Sequence, residues 1–172
     1  MTTTGAASLE DDVAQLSIED VLAAVCAPQA SGAGVAAALS LALAAACARK
    51  AVSVTIKRGT AGTEATAALD ALGERLQLQQ HRAVAHARRD ALLFKAWLQS
   101  REPRQAQHLV ESAQHFQVLV TAVGEELEGL RERVAPVVAG DVDAGLALHR
   151  AAGEIAADLL REARGERNRS VA

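Results

Sequence analysis

Aromatic side chains are almost missing from this chain: no Tyr, two Phe and one Trp in 172 residues. A core must therefore be built from Ala, Val and Leu, and few rings are available to stack on nucleic-acid bases. Proline occurs three times, which leaves long stretches without a helix breaker. Alternating runs of Val, Ile and Thr are nearly absent, which argues against a sheet. Only two cysteines occur, Cys26 and Cys47. Neither has a second thiol or a His at ligand spacing, so the expectation is two small buried side chains in a reducing cytoplasm, with no disulfide and no metal. The net charge of −3 argues against a nucleic-acid partner. The start, MTTTGAASLEDD, is acidic and does not read as a secretory signal.

What is present is helix-forming. Ala, Leu, Glu, Arg and Gln dominate, and 50% hydrophobic with 23% charged residues suits one domain with a sizeable core. The reading is all-α: an elongated bundle of about five helices, two of them long and antiparallel, in a homodimer that buries the extra length. Residues 1–16 and 164–172 read as flexible ends, and 17–163 as the domain. Ser17 with Asp20 three residues on marks the first helix start. Helices are then expected over 33–56, 64–100, 104–135 and 142–163. The third shows a seam of Leu69, Leu72, Leu76, Gln79, Ala83, His86, Asp90, Leu93 and Trp97. The fourth shows Leu109, Ala113, Phe116, Val120, Val123, Leu127, Leu130 and Val134. In the last, Leu148, Ile155 and Leu159 are expected inside.

Residues 21–48 carry no formal charge. A membrane span is not expected, since Ala is only marginally hydrophobic; a helix buried on all sides is the better reading. A Pro-Gln-Ala-Ser-Gly-Ala-Gly turn, residues 28–34, splits this window and opens a helix N-terminus able to receive a polar ligand or anion. His86 and Asp90, four apart, share a helix face. As a buried pair the Asp would orient the ring and raise its proton affinity for acid–base work. With the seam shifted by one residue, both would be solvated. Lys57 and Arg58 could hold an anionic substrate group or simply close a helix with favourable charge. His108 and His115 lack a third ligand, and His149 reads as an edge residue. P-loop, GxGxxG, GxSxG and HExxH patterns are absent.

The order of elements resembles the formiminotetrahydrofolate cyclodeaminase / methenyltetrahydrofolate cyclohydrolase family over nearly the whole chain. Pro28 and Gly32 match its Pro-x-Pro-Gly-Gly-Gly-Ser-x-Ala-Ala turn, with Ala30 at the second Pro and Gly34 at the Ser. Asp90-Ala-Leu-Leu-Phe94 matches its Asp-containing helix segment, and Gly140-Asp-Val-Asp143-Ala-Gly145 the segment before its last helix. Arg161-Glu162 stands where its Asn-Val is usual. The resemblance implies an all-helical dimeric enzyme without cofactor, acting on a tetrahydrofolate one-carbon adduct or a related cyclic amidine. It implies Asp90 and His86 as the acid–base pair, with Pro28, Ser31, Gly32, Gly34, Lys57, Arg58 and Asp143 around the substrate. A catalytically silent relative serving as a dimeric binding or partner protein is the alternative.

Overall fold

A computed structural model describes residues 17–27, 30–59 and 62–165. The flexible ends expected for 1–16 and for most of 164–172, and the turn residue Pro28, lie outside the described residues. The fold is all-helical. Its elements are α1 (Ile18–Val25), α2 (Gly32–Lys57), α3 (Thr63–Ser100), α4 (Pro103–Leu127), a 3-10 turn (Pro136–Val138) and α5 (Ala139–Ala163). Among the described residues there is no strand.

Ser17 caps α1 as its sequence suggests: its Oγ accepts from the Asp20 amide at 3.1 Å and donates to the Asp20 carboxylate at 2.6 Å. The four longer helices form a ring. α2 packs on α3 and α5, and α4 closes the ring by packing on the same two. Burial follows the small residues of α2: Gly34, Val35, Ala37, Ala38, Leu41, Ala44, Ala45, Ala48 and Ala51 are all buried. The helix has the length and apolarity of a membrane span, and 56% of its most apolar window is buried inside the molecule. The enclosure on every side expected from the sequence is not found: Leu43 is 56% exposed.

Small side chains let backbones approach. A Cβ on Gly145 of α5 would stand 3.1 Å from the Ala44 carbonyl oxygen of α2, tighter than ordinary van der Waals contact. At the far end of α2, buried Thr55 donates to the Ala51 carbonyl at 2.8 Å and accepts from the Ala135 amide at 2.8 Å. This hydroxyl ties the segment after α4 to α2.

Three sequence expectations are corrected. α4 ends at Leu127, not at residue 135. Glu128 turns to an extended conformation and Gly129 takes φ +63°, where a glycine is favoured. Leu130 and Val134 stay buried beyond that turn, so the apolar spacing outlasts the helix. Secondly, only α3 is long, with 38 residues against 26, 25 and 25 for α2, α4 and α5. Thirdly, the buried row of α5 is Val142, Gly145, Ala152 and Ala156, while Leu148, Ile155 and Leu159 are only half-buried.

Close packing at Gly145 makes an expected outcome. Gly145→Val forces α2 and α5 apart and costs about 2 kcal/mol of stability by overpacking, read as a lower urea midpoint by far-UV circular dichroism. Gly140→Ala, where an added Cβ meets nothing within 4 Å, is neutral or gains about 0.5 kcal/mol.

Candidate functional site

The helices enclose a cavity of about 410 Å³, lined by early residues of α2 and α4 and later residues of α3 and α5. α3 contributes His86, Asp90, Phe94 and Trp97, a 4-4-3 spacing that places all four on one helix face. α2 contributes its N-terminal residues Ser31, Gly32 and Ala33; α4 contributes Leu109, Ala113 and Phe116; α5 contributes Ala156, Leu159 and Glu162. Every Phe and the single Trp of the chain therefore stand in the wall of this one cavity.

Asp90 is the cavity's half-buried acid. The Ser31 hydroxyl donates to its Oδ2. Burial pushes the Asp90 carboxyl above its ordinary range, and the Ser31 hydrogen bond acts in the opposite sense. No side chain caps the first turn of α2, because the Ser31 hydroxyl is spent on Asp90. The free amides at the start of that helix carry partial positive charge beside the carboxyl. Gly34 has a steric role. It is buried, it does not line the cavity, and a Cβ there would overlap the Asp90 carboxylate. The same Cβ would lie 3.0 Å from Ser31 Oγ. A hydroxyl carried by residue 31 thus fills the space that a side chain at 34 would take.

His86 shares the cavity with Asp90 but is not its hydrogen-bonded partner. Its ring stacks on Phe116 at 4.6 Å between centroids, tilted by 8°. Burial, with the nearby charges of Arg89 and His115, lowers its pKa to about 4. The sequence-based expectation of a ring made more basic by Asp90 is therefore reversed, and His86 is uncharged at neutral pH. Trp97 completes the aromatic wall. It meets Phe94 at 5.7 Å and lies 4.1 Å under the Arg101 guanidinium.

Of the expected site residues, Ser31, Gly32, His86 and Asp90 converge and Gly34 stands directly behind them. Lys57 and Arg58 do not reach the cavity: they are exposed at the other end of α2, roughly 37 Å from Gly32 at about 1.5 Å per residue. Lys57 lines a polar groove between α2 and α3 together with Asp70 and Glu74. Asp143 is near the start of α5 and pairs with Arg131 at 2.9 Å, whereas the cavity uses the end of α5. Phe94, Trp97 and Phe116 were missed as site residues. Their signal was available in the 86-90-94-97 spacing, but a heptad seam favoured Leu93 over Phe94. Among the described residues no group of three His, Cys, Asp or Glu side chains is placed to hold a metal ion.

His86 and Asp90 give the fold opposite pH dependences. His86, with its folded pKa lowered, favours the folded state fully above pH 6.5, and that contribution is lost as pH falls toward 4. Asp90, with its folded pKa raised, costs stability when ionised; that cost disappears as pH falls to its unfolded value of 3.8. His86→Phe, which keeps the stack on Phe116, is expected to lose less stability than the parent between pH 7.5 and 4.5, by on the order of 2 kcal/mol. Asp90→Asn is expected to be at least as stable as the parent at pH 7.5. Urea midpoints at pH 4.5, 6.0 and 7.5 check both. No family model, no curated protein and no solved structure matches this chain.

Proposed function

We propose that the cavity binds a small planar nitrogen heterocycle and that Asp90 exchanges a proton with it. The observation that carries this reading is a half-buried carboxyl of raised pKa set among all the aromatic side chains of the chain. Flat walls suit a flat ligand, and the Asp90 carboxyl beside helix-start amides suits the donor and acceptor edge of a cyclic amidine. The sequence resemblance supplies the narrower proposal: a cyclodeaminase or cyclohydrolase acting on a tetrahydrofolate one-carbon adduct, with no cofactor. In cyclodeamination, the arylamine nitrogen attacks the formimino carbon held on the ring nitrogen, and ammonia leaves. Asp90 in its acid form would protonate the departing amine and then receive the proton released by the attacking nitrogen. In cyclohydrolysis, Asp90 would take a proton from the water that adds to the methenyl carbon and return it to the nitrogen whose bond to that carbon breaks. Uncharged His86 would give or accept a hydrogen bond and shield the ring from water.

Two further proposals concern assembly. The third and fourth helices run antiparallel, as the contacts between them suggest: Arg75 with Glu126 and His86 with Phe116 climb α3 while descending α4. The chain forms a homodimer through the open face of α2 around exposed Leu43.

Two experiments decide between these readings and their alternatives. The purified protein is mixed with 5-formiminotetrahydrofolate and, separately, with 5,10-methenyltetrahydrofolate, and the methenyl absorbance is followed. Turnover is expected, with a loss of at least about 100-fold in Asp90→Asn, the usual scale of an acid–base contribution. Absence of both turnover and calorimetric binding would remove the folate reading. An unaffected Asp90→Asn rate would remove Asp90 from the chemistry. For assembly, sedimentation is expected to give twice the 17.9 kDa chain mass, and Leu43→Glu to give the monomer. A monomeric parent overturns the dimer.

A further inference from the structure

We propose that the groove between α3 and α4 is an anion site, in which Arg82, Arg89 and His115 hold the phosphate or carboxylate group of a small molecule. This groove measures about 520 Å³, and no carboxylate is among its lining residues. It lies on the other side of His86 from the aromatic cavity, since His86 lines both.

Three observations carry the assignment. The first is convergence. Arg82 and Arg89 are seven apart on α3, about 10.5 Å along the axis and on one face, close enough for two long side chains to meet on one oxyanion. His115 faces them from α4. Ala85 and Ala122 between them leave the floor of the groove low.

The second is charge. Lys50, Arg75, Arg131 and Arg161 each hold a carboxylate. Among the described residues neither Arg82 nor Arg89 does. Their neighbours three and four positions away are Leu78, Gln79, Ala85, His86, Leu92 and Leu93, so the helix itself offers no acid. Two guanidiniums gathered without a counter-charge repel one another and are relieved by an oxyanion, which arginine binds in fork geometry and to which the His115 ring can donate.

The third is an unmet polar atom. Gln79 lines the groove, and its side-chain oxygen is buried with no hydrogen-bond donor. A turn of the Gln79 side chain would bring this oxygen to an oxyanion that carries a hydroxyl, as monohydrogen phosphate does, whereas a carboxylate has no donor to offer it. Phosphate is therefore the favoured of the two chemistries.

The test is a thermal melt of the whole chain, followed by far-UV circular dichroism, with inorganic phosphate, with glutarate and with sodium chloride at equal ionic strength. The expected result is a saturable rise in midpoint with phosphate, about 3–5 °C at ten times its dissociation constant, larger than that with glutarate. The Arg82→Gln/Arg89→Gln double variant is expected to lose the rise, and Arg88→Gln, on another face of α3, to keep it. A larger effect of glutarate would assign the site to carboxylates. The proposal is overturned if neither anion exceeds chloride, if the double variant responds like the parent, or if Arg88→Gln loses as much as the double variant.

Discussion

The backbone of α2 lies so close to its neighbours that an added Cβ has no room at Gly34 and only a tight fit at Gly145 of α5. Toward α5 the contact is Gly145 against the Ala44 carbonyl; toward α3 it is Gly34 against the Asp90 carboxyl. The first sets the spacing of the bundle. The second puts a carboxyl group where an alanine methyl would otherwise be, and with it the cavity. Dispersion contacts between small side chains are individually weak and become large only when the packing is tight over a long interface. An Ala-rich core has no large side chains with which to fill gaps, so the gap at one end of the bundle is filled by the chain's few rings, and incompletely.

Burial acts on both ionisable groups of the cavity and favours the uncharged form of each. It raises Asp90 and lowers His86, so removal from water pushes the two toward a neutral pair. The charges outside, on Arg89 and His115, reinforce the effect on His86. The wall between cavity and groove thus separates a poorly hydrated, aromatic interior from a cationic exterior. A ligand with a flat uncharged body and an anionic end would match both sides. That complementarity belongs to the fold, whichever reaction the cavity supports.

Much of this was legible in the sequence, for identifiable reasons. Helix content followed from the dominance of Ala, Leu, Glu and Arg, and the first helix start from the Ser17–Asp20 pair. That Asp90 and the turn at Ser31-Gly32 meet was suggested by the family resemblance and by the anomaly of an acid on an apolar seam. The end of α4 was hidden because Leu130 and Val134 remain buried after the chain turns at Gly129. The phase of α3 was misread because a heptad repeat drifts against 3.6 residues per turn over a long helix. The buried row moves to Ala83, Ala87 and Ala91, and Phe94 takes the place given to Leu93. Lys57 and Arg58 were drawn to the site by their charge and Asp143 by motif order, neither of which says which end of the bundle holds the cavity.

One consequence of the aromatic clustering is spectroscopic. With no Tyr, and with both Phe and the only Trp at one end of the molecule, ultraviolet emission and near-ultraviolet dichroism report that end alone, whereas the peptide signal reports the whole ring of helices. Loosening of the cavity and collapse of the bundle therefore have separate optical signatures in the unmodified chain. Any difference between the two along a denaturation curve is a direct measure of how far the cavity end opens on its own.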